Sequence, residues 1–337
     1  MLLLKGYHMD IYPFLLQPVL KEKLWGGNRL VTQLGKNASP DIPIGESWEI
    51  SDRSDGSSRI SNGPLSGKTL QECIRMYPSE ILGPTLARTG QYLPLLYKYI
   101  DATADLSVQV HPDAAYCNRN PGLYIEPKNE CWYILDAPKN AALIVGLQPG
   151  VTKNEIQQSI AAGTLLDHLY RLPIQKDDMI SIPAGMVHAI TAGTLLCEIQ
   201  QNSDTTFRIF DYNRTDKNGS PRELHIDQAL QAIQYNEGVP AVEAYTETQT
   251  EYGSHALLLH TPHFEIHKHT ILHSWRWEKS ADLFTGINCI AGTGTIATVH
   301  GSISIKKGRS LLIPASVQFL DITPGDKLSV LFSRPCI

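Results

Sequence analysis

Residues 107–112 read Ser107-Val108-Gln109-Val110-His111-Pro112, an alternation of polar and apolar side chains. Because successive side chains of an extended strand point to opposite faces, Ser107, Gln109 and His111 are predicted to share one face. The valines between them, together with Leu106, are predicted to point the other way into apolar packing. Pro112 has no N–H to donate and should end the strand. Since polar groups removed from water need partners, the polar face indicates a metal or a polar substrate.

Short strands interrupted by Gly, Pro and Asn are predicted along most of the chain. They cover 48–51, 93–100, 106–111, 131–135, 142–145, 179–182, 195–200, 207–210, 257–260 and 264–271. Helices are predicted at 69–77, 152–162 and 224–233, the second starting with a Thr152–Glu155 capping box and ending near Gly163. Many short strands with few helices indicate a mainly β fold, a sandwich or jelly roll with short helical insertions.

An internal repeat indicates two related β-domains. Residues 176–185 and 306–316 both read as a turn, an apolar strand and then Ile-Pro-Ala. His188 lies five positions after Pro183, whereas the second copy has Phe319 at that offset from Pro314. We therefore predict a catalytic domain at 1–240, with helical insertions at about 65–90, 150–170 and 222–235, and a degenerate domain without a site at 241–337. Chance similarity is the alternative, because strand-turn-proline patterns are common.

Composition excludes several functional classes. The 337 residues include 29 Lys and Arg against 34 Asp and Glu, and this net charge of −5 argues against nucleic-acid or acidic-membrane partners. The apolar runs are too short to cross a bilayer, and residues 1–10 lack the apolar core of a secretory signal. The 6 cysteines form no C-x-x-C pair, which is typical of reduced thiols in a cytoplasmic protein.

A metal site can be assembled from residues at strand ends. Lys128 and Glu130 are predicted to share a strand face, just before an apolar run in which an unpaired carboxylate would be costly. Two imidazoles, a carboxylate and an amide oxygen suit Zn²⁺, with Fe²⁺, Mn²⁺ and Co²⁺ as competitors. Gln109, His111, Glu130 and His188 would supply them, although their spacing matches no local zinc motif. The alternative is that the histidines are hydrogen-bonded core residues and that Glu130 pairs with Lys128.

Several sequence blocks resemble type I mannose-6-phosphate isomerases (phosphomannose isomerases), especially the short bacterial form. They are Trp-Gly-Gly at 25–27, Gly-Glu-Ser-Trp-Glu at 45–49, 107–112, Lys-Asn-Glu-Cys-Trp-Tyr at 128–133, 183–189 and 198–214. The resemblance covers about 10–235, with a weaker C-terminal part, and ordered motifs are more specific than any single one. It implies two cupin-type jelly-roll β-domains, one Zn²⁺ per chain and a phosphorylated hexose substrate, in a monomer or homodimer.

The resemblance also assigns roles to individual residues. The implied zinc ligands are Gln109, His111, Glu130 and His188. The implied catalytic residues are Arg208, Lys128 and Glu198. The implied substrate-binding residues are Ser107, Lys98 and Arg214. For Lys128 and Glu198 the alternative is a role in structural ion pairs, and for Arg214 it is that of a surface cation.

The implied reaction interconverts mannose 6-phosphate and fructose 6-phosphate by moving a proton between C1 and C2 through an enediol. It needs a base near these carbons and positive charge near the developing oxyanion. One alternative is a cupin oxygenase, because two histidines and a carboxylate also form the Fe(II) facial triad. Such an oxygenase would not require Lys98, Arg208 and Arg214 near the metal. Another is a non-catalytic sugar-binding regulatory cupin, which would not need Lys128 and Glu198.

A second group of histidines lies outside these motifs. It consists of His255, His260, His263, His267, His269 and His273. Glu265, His267 and His269 are predicted to share a strand face, which is reasonable geometry for a metal. Alternating polar residues also describe a solvent-facing strand, and that interpretation is favoured here.

Overall fold

The computed structural model describes residues 10–215, 219–235 and 238–337. The predicted absence of a secretory signal concerns a segment that falls almost wholly outside these ranges. Within them the protein is mainly β, as predicted. No helix of the described ranges is both long and apolar enough to span a membrane.

The strands and helices of the described ranges are numbered in chain order. The strands are β1 (Phe14–Gln17), β2 (Val19–Gly27), β3 (Ile44–Ile50), β4 (Asp52–Arg53), β5 (Gly56–Ser57), β6 (Arg59–Ile60), β7 (Leu95–Asp101), β8 (Val108–Val110), β9 (Glu130–Asp136), β10 (Ala142–Leu147), β11 (Leu169–Pro173), β12 (Met179–Ile182), β13 (His188–Ala189), β14 (Leu195–Gln201), β15 (Phe207–Phe210), β16 (Thr248–Thr250), β17 (Gly253–His260), β18 (Phe264–Ile271), β19 (Trp275–Glu278), β20 (Thr285–Thr298), β21 (Gly301–Lys306), β22 (Ser310–Ile313) and β23 (Phe319–Pro335). The α-helices are α1 (Arg29–Thr32), α2 (Leu70–Met76), α3 (Pro78–Leu82), α4 (Pro84–Thr89), α5 (Ala114–Arg119), α6 (Lys153–Ala162) and α7 (Ile226–Ala232). Short 3₁₀ helices cover Pro121–Leu123 and Leu165–His168.

Two antiparallel sheets form the sandwich that carries the candidate site. One is six-stranded, in the order β12-β9-β14-β7-β3-β2, and the other is five-stranded, in the order β11-β10-β13-β8-β15. An apolar cluster joins them, with Ile100, Trp132 and Leu196 from the first sheet packing with Leu143 and Val145 from the second. Because side chains alternate between the two faces along each strand, these residues point into the space between the sheets, as in a jelly roll.

A third, ten-stranded sheet contains most of the C-terminal strands, in the order β16-β17-β18-β23-β20-β22-β1-β6, with β19 and β21 attached. Its last two strands come from the N-terminal part of the chain, with Phe14 opposite Leu312 and Leu16 opposite Ile60. The N-terminal strand thus covers an edge of the C-terminal sheet, which protects that edge from pairing with another chain. The division of the chain at residue 240 stays a prediction.

The two copies of the sequence repeat adopt the strand-turn structure that the pattern predicts. Met179–Ile182 (β12) and Ser310–Ile313 (β22) are both strands, and each is followed by a turn at Pro-Ala. After the first turn comes His188, which is 1% exposed, whereas the second copy has Phe319, which is 51% exposed. The second copy therefore lacks the buried imidazole of the first.

Helix α6 begins and ends where its sequence predicts. Thr152 is the N-cap residue: its hydroxyl accepts a hydrogen bond from the Glu155 N–H, and the Glu155 carboxylate accepts one from the Thr152 N–H at 2.8 Å. The helix ends at Gly163, whose φ of 73° lies in the left-handed region that glycine adopts without strain. The capping box and the glycine stop are both confirmed.

We expect Thr152→Ala to lower the free energy of unfolding by about 1 kcal/mol, because the Glu155 N–H loses the hydroxyl oxygen that caps it. Thr164→Ala is the matched control, since Thr164 is also exposed and precedes a 3₁₀ helix without any side-chain capping bond. The control should change stability by no more than about 0.5 kcal/mol. Urea unfolding midpoints measure both. Equal midpoints for the two variants would contradict a stabilising role for the box.

Candidate functional site

Strand β8 positions the polar face that the sequence predicts. Val108 and Val110 are fully buried in one apolar cluster, and Gln109 between them points to a cavity on the other side. Leu106 does not join those valines, so that part of the prediction is wrong. It precedes the first residue of the strand, where strict alternation does not hold, and it packs in the cluster around Trp132 instead.

Strand pairing brings the predicted site residues into two rows. In the five-stranded sheet, Gln109 lies opposite His188 on one side and opposite Arg208 on the other. In the six-stranded sheet, Glu198 lies opposite Lys98 on one side and opposite Trp132 on the other. Residues from both rows line one cavity, and Lys98, Gln109, Glu198 and Arg208 are among them. Residues far apart in sequence are thus assembled by register.

The groups of His111, Glu130 and His188 that could bind a metal lie within 4.8 Å of one another. The His111 Nε2 is 3.2 Å from Glu130 Oε2, and the His188 Nε2 is 3.4 Å from Glu130 Oε1. All three side chains are 1% exposed. A buried carboxylate between two imidazoles is a composition typical of metal sites.

Backbone carbonyls fix the orientation of both imidazoles. The His111 Nδ1 lies 2.8 Å from the Thr205 carbonyl oxygen, and the His188 Nδ1 lies 2.9 Å from that of Met186. Because a carbonyl only accepts, each Nδ1 carries a proton, which leaves each Nε2 unprotonated within 3.4 Å of Glu130. Burial, with the nearby Lys128, lowers the pKa of His111 to about 3, so this imidazole is neutral at physiological pH. Metal-binding histidines show the same arrangement.

The buried polar atoms of this group fit a divalent cation. Neither carboxylate oxygen of Glu130 has a hydrogen-bond partner among the described residues, although Lys128 Nζ lies 2.7 Å from Oε2 as an ion pair. The Gln109 amide is 3.2 Å from the His188 Nε2, and turning the amide over would present its oxygen there. Two imidazole nitrogens, a carboxylate and an amide oxygen are ligands that suit Zn²⁺.

A cavity of 320 Å³ lies beside this group. Six of the ten predicted site residues line it: Lys98, Ser107, Gln109, Lys128, Glu198 and Arg208. His111, Glu130 and His188 lie behind the lining, where Lys128 Nζ is 3.0 Å from the His111 Nε2. A larger cavity of 540 Å³, near Tyr12 and Phe319, has none of the predicted residues in its lining. Convergent chemistry rather than volume marks the smaller cavity as the candidate active site.

Glu198 is held as an oriented carboxylate at the cavity wall. Lys98 Nζ lies 2.7 Å from Glu198 Oε2, and the indole N–H of Trp132 donates to Glu198 Oε1 at 3.1 Å. Burial alone would lower the pKa of Lys98, but the carboxylates of Glu198 and Glu46 raise it. The alternative role predicted for Glu198 and Lys128, membership in ion pairs, is therefore also observed: Glu198 pairs with Lys98, and Lys128 pairs with Glu130. Both side chains nevertheless face the cavity, where they can also contact a substrate.

Two arginine side chains also line this cavity. Arg208 Nε donates to the Ser107 hydroxyl at 3.3 Å, and Arg208 Nη1 donates to the Glu223 carbonyl at 2.8 Å. Arg222 lines the same cavity. Burial, together with the charge of Arg222, lowers the pKa of Arg208. Clustered guanidinium groups of this kind favour a bound anion.

Arg214 is not among the residues that line the cavity. Its Nη2 pairs with Asp211 Oδ1 at 2.5 Å, and its Nη1 donates to the Asp105 carbonyl at 2.6 Å. The same Asp211 carboxylate also pairs with Arg222, which does face the cavity. Sequence reasoning missed Arg222, because its position depends on this tertiary contact and on no local pattern.

Comparison with known proteins agrees with this geometry. Residues 14–140 match the model for the catalytic domain of type I phosphomannose isomerase. The probable mannose-6-phosphate isomerase GmuF of Bacillus subtilis is 36% identical over 96% of the chain and 99% of its own length. The chain belongs to the type I phosphomannose isomerase family. The mannose-6-phosphate isomerase of Streptococcus mutans is 34% identical over 91% of the chain and 93% of its own length.

Solved structures of phosphomannose isomerases share the fold over nearly the whole chain. The crystal structure of the mannose 6-phosphate isomerase from Bacillus subtilis superposes with a TM-score of 0.87 at 33% identity, covering 96% of this chain and 99% of that one. A putative mannosephosphate isomerase from Archaeoglobus fulgidus, at 16% identity and a TM-score of 0.76, shows the fold alone. The family resemblance carried by the sequence motifs is confirmed.

Other lining residues of this phosphomannose isomerase family member were seen in the sequence without a role. Trp25 and the pair Glu46 and Trp48 occur in the blocks at 25–27 and 45–49, and all three line the cavity. Burial alone would raise the pKa of Glu46, but Lys98 and Lys23 lower it to about 2. The motif blocks thus indicated that these residues matter, although nothing in the local pattern predicted that their side chains line the cavity.

Proposed function

We propose that the protein interconverts mannose 6-phosphate and fructose 6-phosphate with one bound Zn²⁺. The observation that carries this proposal is the buried His111–Glu130–His188 group next to a cavity lined by acid–base and cationic side chains. The relatives named above, a probable mannose-6-phosphate isomerase and a mannose-6-phosphate isomerase, match 96% and 91% of the chain. A cytoplasmic enzyme is proposed with it, since the cysteines are free thiols.

We propose that Gln109, His111, Glu130 and His188 hold the metal. When bound, Zn²⁺ would supply positive charge and Lewis acidity to the oxygens that change during isomerisation. The register of β8 with β15 supports a shared role for the metal ligands and Arg208, because Arg208 lies directly opposite Gln109. Arg208 is the proposed fixed cation for the developing oxyanion.

The proposed proton carriers are Glu198 and Lys128. Glu198 is an acceptor oriented by Lys98 and Trp132, which suits removal of a proton from carbon. Lys128 can give a proton to an oxygen and take one from it, since its Nζ lies between the cavity and the metal-ligand group. The enediol would form between these two side chains, and its collapse at the neighbouring carbon would give the other sugar.

The proposed phosphate contacts are Ser107, Lys98 and Arg222. The Ser107 hydroxyl touches Arg208, and Arg222 adds a second guanidinium to the same lining. Such groups bind a phosphate dianion by charge-assisted hydrogen bonds. Arg214 remains in the proposal in an indirect role: it shares Asp211 with Arg222 and so helps to orient that side chain.

The proposal is tested by incubating zinc-loaded protein with mannose 6-phosphate in heavy water. Fructose 6-phosphate should appear with deuterium at C1, because the base exchanges its proton with solvent before the enediol collapses. NMR spectroscopy follows both the product and the label. Chelation should abolish turnover, and added Zn²⁺ should restore it. Zinc-replete protein without turnover would overturn the function, and product free of deuterium would contradict an exchanging base.

A further inference from the structure

In the ten-stranded sheet, three side chains with metal-binding atoms come together where neighbouring strands begin or end, and none of them lines the candidate active site. His260, at the end of β17, lies opposite Glu265 near the start of β18. Glu265 in turn lies opposite Arg334 near the end of β23. Cys336 follows two residues later, and its N–H donates to the His263 carbonyl at 2.9 Å. One imidazole, one carboxylate and one thiol are thereby fixed at the same place by strand register.

The ligand atoms of His260, Glu265 and Cys336 all lie within 4.8 Å of one another. His260 Nδ1 is 3.3 Å from Glu265 Oε2. The other carboxylate oxygen, Oε1, is engaged by Arg334 Nε at 2.5 Å and by His267 Nε2 at 3.0 Å. Glu265 is therefore held from behind, with Oε2 directed toward His260. Metal-binding carboxylates are commonly oriented by outer contacts of this type.

We propose that His260, Glu265 and Cys336 form a second metal site, which takes Zn²⁺ or a similar borderline divalent cation. Imidazole nitrogen, carboxylate oxygen and thiolate sulfur are the ligands of protein zinc sites, and water would complete a tetrahedron. On binding, the Cys336 thiol releases its proton to solvent and the sulfur coordinates as thiolate. The His260 side chain is 62% exposed, so the ion has direct access. Bound metal would tie the β17–β18 hairpin to the end of β23.

The neighbouring charges limit how tightly this site binds. Arg334 is a fixed cation close to the ligands. Its guanidinium pairs with Glu265 Oε1 and donates from Nη1 to the Ser280 hydroxyl at 2.6 Å, so its position is fixed by these two contacts. Thiolate and carboxylate still supply two negative charges against it. An open site with three protein ligands and an adjacent cation should bind more weakly than a closed four-ligand site.

Cobalt spectroscopy can separate this site from the proposed catalytic one. Co²⁺ bound by thiolate gives an intense near-ultraviolet charge-transfer band, whereas the ligands Gln109, His111, Glu130 and His188 contain no sulfur. The whole protein, reduced and free of thiol reagents, is titrated with Co²⁺ and followed by absorption. The expected result is that Co²⁺ binds to two sites. Binding at the proposed catalytic site gives no thiolate charge-transfer band, and binding at the second site gives one.

The variants Cys336→Ser and His260→Ala should each lose the band and Co²⁺ binding at the second site, while isomerase turnover stays at the parent level. Cys117→Ser is the matched control, since Cys117 is also a partly exposed free thiol and lies in a different part of the chain. It should keep the band. A parent protein without the band overturns the proposal, and so does a band that survives Cys336→Ser or disappears in Cys117→Ser. Circular dichroism spectra confirm that the variants are folded.

Discussion

Arg208→Ala should lower kcat for mannose 6-phosphate about 10²- to 10³-fold, the usual effect of removing one group that stabilises an oxyanion. Arg208 lies opposite Gln109 in strand register, and its guanidinium lines the cavity beside Ser107. It is not part of the buried metal-ligand group, so zinc content should stay at the parent level. The loss should therefore separate turnover from metal binding.

Two further variants sharpen this test of Arg208. Arg208→Lys keeps the positive charge but loses the planar fork, and should recover only part of the turnover. Arg276→Ala is a remote control, because Arg276 forms an exposed bidentate pair with Asp321 in the ten-stranded sheet. The control should behave as the parent does. Kinetics and zinc content are measured on the same samples, and parental turnover in zinc-loaded Arg208→Ala would refute a catalytic role.

Local patterns predicted the parts of the structure that local physics determines. The capping box at Thr152 and the stop at Gly163 depend on residues within one helix, and both are present. The alternation around Gln109 depends on the geometry of one strand, and it holds from Val108 to Val110. It fails at Leu106, where the chain has not yet entered the strand.

The remaining features depend on contacts between distant segments. The sequence contains no local signal that Phe14–Gln17 would pair with Ser310–Ile313, because such pairing is set by the edge that the whole sheet exposes. Contacts between distant segments also explain why Arg222 lines the cavity although Arg214 was the predicted residue. Both arginines follow the strand at 207–210, and only the tertiary position of Asp211 directs Arg222 into the cavity.

The histidines between positions 255 and 273 also depend on contacts between strands that sequence spacing does not predict. Alternation predicted that Glu265, His267 and His269 share a face. Neighbouring side chains supply hydrogen-bond partners for the two imidazoles: His255 Nε2 lies 2.9 Å from the His267 Nδ1, and the Tyr252 hydroxyl lies 2.9 Å from the His269 Nδ1. The set with metal-binding geometry includes Cys336, which directly follows the end of β23. Strand register, rather than spacing, brought it there.

Glu130→Gln should abolish both zinc binding and turnover. The carboxylate is the charged member of the proposed ligand set, and it lies between His111 and His188 while pairing with Lys128 at 2.7 Å. An amide cannot neutralise a divalent cation, so the metal is expected to dissociate. The buried Lys128 also loses its partner, and breaking a buried ion pair from one side costs about 3–5 kcal/mol. Zinc content, turnover and urea unfolding of the metal-free protein measure these three losses.

A second buried ion pair provides the control for Glu130→Gln. Glu49 is 1% exposed and pairs with Lys36 at 2.6 Å, but neither residue lines the cavity. Glu49→Gln should destabilise the metal-free protein by a comparable amount, yet keep zinc and the turnover of each folded molecule. If Glu49→Gln lost zinc to the same extent, the effect at Glu130 would reflect stability alone. If Glu130→Gln bound zinc as tightly as the parent, Glu130 would not be a ligand.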